Sequence, residues 1–416
     1  FDQKIALMLV AIYSFSFFSI QFSRFAWNPN IIPFFVILFL FACYELLMKG
    51  RKTHWSWIVS IGAALGVGIQ LHAILLVILP VATFFVAVFS IRKDWKSWNK
   101  WVIVLFIVLV LNSTQIISEI RTGFENSRIF FNSPISNMSD DSNFLTKFEN
   151  TASCHIEANV FILSSLGQES CSRWYAKIIR GEKIKKFNNE LEFWIVIVAS
   201  FLFSVFGYGL MIFNFLKERS MERKYFLGLA GFFLLISFLV MIQVIGSGFF
   251  EFRYFIYTFF APFILLGFLL EFIQAKNKKI YAIFSISIFL FFLFANAMTI
   301  KSIVGDLYSG NGSDENSVFL GETESMVAYL IASSAGQNGA YFSGEDVYLK
   351  NFYQPLEYLT DKQNFNLIQL RNIDGIADDR PIFYIKGSSK MSTDINGYAI
   401  EDYKKFGQVV IYKLKR

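Results

Sequence analysis

The sequence has little charge, little proline and little cysteine. Charged residues make up 17% of its 416 residues, and it contains only 7 prolines, 3 cysteines and 3 histidines. No CxxC pair and no paired Cys and His spacing indicates a zinc site. No P-loop, dinucleotide-binding fingerprint or nucleophile elbow occurs either. The sequence therefore offers no motif for nucleotide-dependent, zinc-dependent or serine-hydrolase chemistry.

Nine long hydrophobic stretches dominate the chain instead. Hydrophobic residues make up 55% of it, 51 residues are phenylalanine, and the mean hydropathy is +0.47. The stretches are roughly 17 to 24 residues long, which is the length that crosses a hydrocarbon core as a helix, and they are too uniformly apolar for barrel strands. The sequence therefore predicts an all-α polytopic membrane bundle of about nine helices, at 4–21, 31–48, 55–71, 73–90, 101–117, 193–216, 225–246, 254–273 and 279–299.

The segments that connect these stretches differ steeply in positive charge. Four of them carry fourteen Lys and Arg residues in total, whereas the alternate short connections carry only Arg24 and Arg253. Cytoplasmic loops are enriched in Lys and Arg, so the basic connections are predicted to be cytoplasmic. Successive loops alternate between the two sides of the membrane if 55–90 forms two helices that turn near Gln70 and His72. The net charge of +6 then reflects topology, and nucleic acid is not an expected partner. The basic connections are 49–54, 91–100, 217–224 and 275–279.

This topology places two polar regions outside the cytoplasm of an integral plasma (inner) membrane protein. The loop 118–192 has no spanning run, although its part Ile156–Leu166 is predicted to lie as an amphipathic helix on the membrane surface. The tail 301–416 is predicted to be a small extracytoplasmic α/β domain. The bundle itself then comprises an N-terminal part, 1–117, and a C-terminal part, 193–300. Because the first run begins almost at once after Phe1, we expect further spans upstream.

Hydrophobic periodicity in the tail predicts both helices and strands. The predicted helices lie near Glu322–Ser334 and Pro355–Asp361. The predicted strands are Ala340–Ser343, Ile382–Ile385 and Gln408–Leu414.

Two of the three cysteines fall in the predicted external loop. An oxidising compartment allows Cys154 and Cys171 to form a disulfide, and two free thiols are the alternative. Cys43 lies in a predicted helix, where it is interpreted as a small buried apolar residue.

Three groups of polar residues lie at span ends that are predicted to face outward, where ionisable groups are costly and often functional. The first is the short connection 23–30. Arg24, Asn28 and Asn30 have side chains able to hold a phosphate or sugar hydroxyls. The alternative is a snorkelling arginine, an interfacial tryptophan and a helix cap.

The second and third groups flank later spans. Gln70 and His72 lie at a tight turn, where His72 can bind phosphate or donate a hydrogen bond, or can simply be satisfied by nearby backbone. In the third group, glycines permit an irregular turn, and Glu251, Arg253 and Tyr254 follow it. Arg253 suits an anionic head group. An aromatic belt with an anchoring arginine and a local Glu–Arg pair is the alternative.

The motifs occur in a characteristic order. They are Ser23-Arg24-Phe25-Ala26-Trp27, the basic loop and aromatics of Lys49–Trp57, the G-x-x-x-G-x-G-x-Q-x-H helix pair of Gly62–Pro80, and Arg253-Tyr254 followed by Pro262. Their combination resembles the integral-membrane glycosyltransferases of the protein O-mannosyltransferase-like group, which have the GT-C fold. The resemblance covers 1–90 well and 245–275 loosely.

This resemblance implies transfer of a sugar from a polyprenyl-phosphate donor to an extracytoplasmic acceptor, which is a cell-envelope glycan, a lipid or a protein. An acidic residue takes the proton of the acceptor, and fixed cations stabilise the departing phosphate. Arg24 and Arg253, with His72 in support, are expected in the cationic role. The other residues expected to bind the donor phosphate and sugar are Asn28, Asn30, Gln70, Glu251 and Tyr254. Membrane lipid, donor and acceptor are the expected partners. A divalent metal stays open as a cofactor, although no ligand set is visible.

The chain departs from the family pattern in two places. Family members carry the key acidic residue in their first external loop, which we expect to lie upstream of Phe1. Many relatives also have an aspartate just after the S-R motif, where this chain has Asn28-Pro29-Asn30. A secondary transporter, a lipid-linked glycan polymerase or ligase, and a non-catalytic membrane protein are alternatives. The scarcity of charge inside the spans argues against the transporter.

Overall fold

The computed structural model divides the chain into two compact units, Phe1–Ala297 and Met298–Arg416. The first unit is helical, and the second combines helices with a β-sheet. The structure describes residues 1–23, 28–129, 143–167, 170–182, 190–244, 251–308, 318–334, 336–370, 373, 379–388 and 394–415.

Most helices of the first unit follow the hydrophobic stretches of the sequence, and the last of them continues past Ala297 into the second unit. They include α1 (Gln3–Phe15), α2 (Phe17–Ser23), α3 (Ile32–Lys49), α4 (Trp55–Leu71), α5 (Leu75–Lys93), α6 (Trp98–Leu111), α7 (Ser113–Arg121), α8 (Phe144–Ser164), α9 (Trp174–Ile179), α10 (Glu190–Lys217), α11 (Met221–Val244), α12 (Ala261–Lys276) and α13 (Lys278–Tyr308). Short 3-10 turns lie at Asn28–Ile31, Gly50–Lys52, Trp95–Ser97 and Phe252–Phe255.

The expected number of about nine spans is not confirmed. Within the described ranges, five helices are long and apolar enough to cross a membrane, or up to seven if each of two bent pairs forms one span. The bent pairs are α1 with α2, at 55°, and α6 with α7, at 60°. Helix α4 is apolar but has only 17 residues. The predicted stretch 254–273 opens in a 3-10 turn, which leaves 16 residues for α12.

The glycines of the G-x-x-x-G-x-G motif allow α4 to pack closely against its neighbours. A Cβ atom on Gly62 would lie 2.9 Å from Cβ of Ile107 in α6, and one on Gly68 would lie 2.5 Å from Cδ1 of Leu79 in α5. The contact with the branched side chain of Ile107 leaves no room for a Cβ on Gly62, whereas the Leu79 methyl is the end of a flexible side chain that can move. Close helix packing therefore explains Gly62.

A buried hydrogen-bond network lies at the break between α1 and α2. The hydroxyl of Ser16 donates to the carbonyl oxygen of Ile162 at 2.6 Å, and the N–H of Phe17 donates to Oδ1 of Asn296 at 2.7 Å. Nδ2 of Asn296 donates to the carbonyl oxygen of Leu163 at 2.8 Å. Backbone groups freed by the bend thus find partners without water, as an apolar environment requires.

Helix α8 lies inside the bundle. Phe161 and Ile162 are only 3% and 1% exposed, and the helix contacts α2, α9, α10, α11 and α12. The prediction of a surface helix at Ile156–Leu166 is therefore wrong. The polar residues that suggested a surface position bond within the protein instead: Nδ2 of Asn159, for example, lies 3.2 Å from Oγ of Ser204 in α10.

The basic connections come together at one end of the helical unit. Arg51 forms an ion pair with Asp94, which joins the connections 49–54 and 91–100. The hydroxyl of Tyr44 donates to Glu222 at 3.0 Å, which joins the end of α3 to the connection 217–224. Further contacts at this end are Lys100 with the carbonyl oxygen of Gly50, Lys93 with Tyr225, and Arg223 with Glu271.

The second unit contains a six-stranded mixed sheet with the order β2-β1-β3-β6-β5-β4. Strand β1 pairs in parallel with β2 and β3, and the remaining pairs are antiparallel. Phe342, Phe352 and Phe383 are fully buried in its core. The elements are α14 (Leu320–Ser333), β1 (Gly339–Gly344), α15 (Asp346–Asp361), β2 (Asn366–Gln369), β3 (Ile382–Gly387), β4 (Asp394–Ile395), β5 (Tyr398–Phe406) and β6 (Val409–Lys415).

All five elements predicted for the tail are confirmed, but three strands were missed. The helix predicted at Pro355–Asp361 begins earlier, at Asp346, and contains Pro355. Strand β5 has mostly exposed residues, several of them charged, so it lacks the apolar alternation that marks a half-buried strand. Strands β2 and β4 have only 4 and 2 residues, which is too short for a reliable pattern.

Candidate functional site

The predicted site segments lie at the end of the helical unit away from the basic connections. The turns Asn28–Ile31 and Phe252–Phe255 precede α3 and α12, whose far ends carry Lys49 and Lys276. His72 follows α4, which begins beside the basic connection 49–54. Because these helices run from one end to the other, all three segments share the less basic end.

His72 caps the start of α5 with its ring and its backbone. Nδ1 accepts the N–H of Ile74 at 3.2 Å, and the carbonyl oxygen accepts the N–H of Leu75 at 2.9 Å. A ring nitrogen that accepts a hydrogen bond carries no proton, so we assign the proton of the neutral ring to Nε2. Burial lowers the pKa of His72, and the charge of Arg253 lowers it further. His72 is thus a neutral side chain with one N–H donor.

Arg253, Glu251 and Tyr254 form a compact cluster. Nε of Arg253 lies 2.8 Å from Oε2 of Glu251, and the guanidinium carbon lies 5.3 Å from the centroid of the Tyr254 ring. The side chains of Arg253 and Glu251 are 39% and 36% exposed, so a ligand can reach them. A guanidinium is a planar, permanently charged group with five N–H donors, a form that suits anions.

The structure joins the second and third predicted groups. The rings of His72 and Tyr254 meet edge to face, with centroids 6.0 Å apart. The charge of Arg253 also acts on the His72 ring. His72, Glu251, Arg253 and Tyr254 therefore form one cluster, hereafter the His72–Arg253 cluster. It offers a guanidinium whose charge is balanced by the Glu251 carboxylate, an N–H donor and a phenol, and these donors can bind an anion such as phosphate.

The first predicted group is only partly described. Arg24 and the side chain of Asn28 lie outside the described residues, so their relation to the His72–Arg253 cluster stays a prediction. The turn Asn28–Ile31 contacts α4, the helix that ends next to His72. Asn30 lines a large cavity.

This cavity has a volume of about 1340 Å³ and lies between α1, α2, α3, α11 and α12. Its wall is mainly aliphatic and aromatic. Ser19, Ser23 and Asn30 line it at the end where the site segments lie, and Tyr44, Glu222 and Arg223 line it at the basic end. The cavity thus runs most of the length of the helices, with an apolar body and polar groups at both ends, a form that suits an amphiphile with a long hydrocarbon chain.

Gln70 has backbone partners between two helices. Its Nε2 donates to the carbonyl oxygen of Gly66 at 3.1 Å and to that of Leu111 in α6 at 3.0 Å. Nδ2 of Asn112 also donates to the carbonyl oxygen of Gly66, at 3.1 Å. These bonds connect α4 to the kink between α6 and α7, so Gln70 supports the helix that carries His72.

Glu157 is a buried carboxyl that the sequence interpretation did not single out. It is 3% exposed, and it accepts the N–H of Ser172 at 2.8 Å and that of Trp174 at 2.6 Å. Burial raises the pKa of Glu157 to about 7, against the opposing effect of these bonds. Cys154 lies one helical turn away and forms a disulfide with Cys171, with Cα atoms 5.2 Å apart. In the sequence, the pair of cysteines was the feature that drew attention to this part of the loop.

Acidic and metal-ligating side chains are dispersed in the described part of the chain. Within the described ranges, no group of three or more His, Cys, Asp or Glu side chains is placed to hold a metal ion. The guanidinium and the N–H donor of the His72–Arg253 cluster suit anion binding and charge stabilisation.

The N-terminal part of the chain matches a known family. Residues 1–117 match the family model of dolichyl-phosphate-mannose-protein mannosyltransferase. No curated protein and no solved structure gives a significant match. The matched region contains α1 to α6, the cavity wall formed by α3, and His72. The match supports a membrane glycosyltransferase that uses a polyprenyl-phosphate sugar donor. The resemblance drawn from the sequence motifs is thus confirmed, and over residues 1–117 the chain is similar to membrane O-mannosyltransferase-like glycosyltransferases.

Proposed function

We propose that this protein transfers a sugar from a polyprenyl-phosphate donor to an acceptor outside the cytoplasm. One observation carries the proposal: a single segment serves both the cluster and the cavity. Arg253 and Tyr254 belong to the cluster, whereas Ile256 and Phe259, a few residues later, line the cavity. A donor whose phosphate meets Arg253 can therefore place its hydrocarbon chain in the cavity.

The side chains have distinct roles in this proposal. Arg253 binds the donor phosphate and stabilises the charge that grows on it as the sugar leaves. Glu251 holds the guanidinium in place, and Nε2–H of His72 donates to a phosphate oxygen. Tyr254 and Asn30 contact the phosphate or the sugar. Arg24 and Asn28, which follow from the family motif, complete the set.

The acceptor side of the reaction follows from the predicted topology. We propose that 118–192 and 301–416 lie outside the cytoplasm and that the protein resides in the plasma (inner) membrane. The clustering of the basic connections at one end of the helices supports this orientation. The acceptor is a cell-envelope glycan, a lipid or a protein.

The donor class can be tested directly. The intact protein, reconstituted in proteoliposomes, is given one labelled sugar either on polyprenyl phosphate or on a nucleoside diphosphate, together with a membrane extract as a source of acceptors. We expect label to leave the polyprenyl phosphate only. Use of the nucleotide sugar alone would contradict the proposal, as would a polyprenyl donor that stays intact with correctly folded protein.

A further inference from the structure

The chain between α8 and α9 is tied to the segment that carries Arg253. Ser170 forms an isolated antiparallel β-bridge with Glu251, which is the ion-pair partner of Arg253. The next residue, Cys171, is covalently bound to Cys154 in α8. The position of Glu251 is therefore coupled through two residues of backbone to a disulfide anchored in the buried helix α8.

Glu157 fixes the chain that follows Cys171. Its two carboxyl oxygens accept the N–H groups of Ser172 and Trp174 and the hydroxyl of Ser153, at 2.6 to 2.8 Å. Between them, Arg173 has φ of 56°, a left-handed conformation that is uncommon for residues other than glycine. Such a conformation persists when neighbouring contacts determine it. The bonds to Glu157 on both sides of Arg173 supply those contacts.

Helix α8 also packs directly on the turn Phe252–Phe255. The rings of Phe161 and Phe252 have centroids 5.1 Å apart, and the rings of His155 and Phe255 have centroids 4.7 Å apart. The backbone around Arg253 is thus held in two ways. Two ring contacts from α8 hold Phe252 and Phe255, and the β-bridge to Ser170 holds Glu251. Each of these restraints comes from residues 153–174.

We propose that Glu157 and the Cys154–Cys171 disulfide form a positioning unit for Arg253, so that sugar transfer depends on an oxidised disulfide. The catalytic consequence of this positioning rests on the proposed function. A displacement of about 1 Å in a positioning group can lower a rate by roughly 10²-fold. Loosening the segment that carries Glu251 would move the carboxylate that orients the guanidinium of Arg253.

The test combines hydrogen exchange with kinetics on the intact protein. Three states are compared with the untreated protein: the folded protein treated with a phosphine reductant, Cys154→Ser with Cys171→Ser, and Glu157→Gln. The Gln variant replaces one accepting oxygen by an NH₂ group that faces an N–H donor. Matched controls are Cys43→Ser, a buried cysteine without a disulfide, and Glu182→Gln, an exposed carboxylate in the same loop.

We expect faster exchange at 251–256 as well as at 170–175 in the three states, and a fall in kcat of roughly tenfold or more, with KM for the donor changed less. The controls should match the untreated protein. Unchanged exchange at 251–256 while 170–175 exchanges faster would overturn the proposal, since Glu157 and the disulfide would then stabilise only their own loop. Full activity of the reduced, folded protein would also overturn it. If the untreated protein shows no transfer, the proposed function fails, and the exchange at 251–256 alone decides the positioning role.

Discussion

The rings of His72 and Tyr254 meet edge to face with centroids 6.0 Å apart, although they belong to distant parts of the sequence. His72 follows α4 in the region that matches the mannosyltransferase family model, and Tyr254 precedes α12 outside that region. The contact therefore joins the family-like part of the chain to a segment that the family model does not cover. The donor site that we propose is built across this junction.

The variants His72→Asn and His72→Ala separate the structural role of His72 from its role towards the donor. The asparagine can place its Oδ1 close to the position of Nδ1, so it can still accept the N–H of Ile74. The alanine cannot accept this hydrogen bond. Both variants lack the Nε2–H donor. We expect both to lower turnover by roughly tenfold, and only His72→Ala to lower the free energy of unfolding, by about 1 kcal/mol. Thermal unfolding in detergent and donor kinetics measure the two effects. Equal stability of the variants with unequal turnover would contradict this assignment.

Filling the cavity should weaken binding of long-chain donors selectively. Ile37 of α3 lines the cavity, so Ile37→Trp places a larger ring in the path of the hydrocarbon chain. We expect KM to rise several-fold for a long polyprenyl-phosphate sugar and to change little for a short-chain analogue, since the phosphate site is untouched. Phe84→Trp is the control, because Phe84 is 63% exposed and lies outside the cavity wall. A similar KM increase for both chain lengths would place the hydrocarbon chain elsewhere.

Asn296 should be among the most stabilising polar residues of the helical unit. Its side chain is 1% exposed and bonds to Phe17, Leu163, Phe292 and Ser165. Asn296→Leu leaves several buried polar groups without partners, at about 1–3 kcal/mol for each. We expect a marked fall in the thermal unfolding midpoint. The control Asn277→Leu removes an exposed helix cap and should cost only about 1 kcal/mol. Equal effects of the two would argue against the network.

Cysteine labelling tests the proposed orientation. A membrane-impermeant maleimide added to intact cells should label Glu182→Cys and Lys404→Cys, which lie in the two polar regions, but not Arg219→Cys in a basic connection. The native cysteines give little background, because Cys43 is buried and the other two are bonded. Labelling of Arg219→Cys alone would invert the topology.

The sequence predicted most helices because long apolar runs follow a simple physical rule, but it could not count the spans. The chain bends between α1 and α2 at Ser16, where Asn296 accepts the N–H of the next residue, Phe17. The sequence around Ser16 gives no sign of this distant partner. The surface assignment of 156–166 failed for a related reason. Asn159 is polar by composition, but it meets Ser204 inside the bundle, and only tertiary structure supplies that contact.

For the candidate site too, the sequence identified individual residues but not their tertiary contacts. The sequence marked His72, Glu251, Arg253 and Tyr254 because polar groups at span ends are costly and few. It could not show that they meet, nor that Nε2 of Gln70 bonds to backbone of both α4 and α6. Glu157 was missed because a glutamate in a polar loop is normally solvated, and its burial depends on the fold of 170–174 around it.

The most direct test of the account is transfer from a polyprenyl-phosphate sugar by the intact protein and by Arg253→Ala, with Arg219→Ala as the matched loss of one positive charge at the opposite end. The account predicts that Arg219→Ala retains near-normal turnover and that Arg253→Ala loses roughly 10²-fold or more, because it removes a charge-assisted contact that strengthens in the transition state. Equal turnover by the intact protein and a correctly folded Arg253→Ala variant would contradict it.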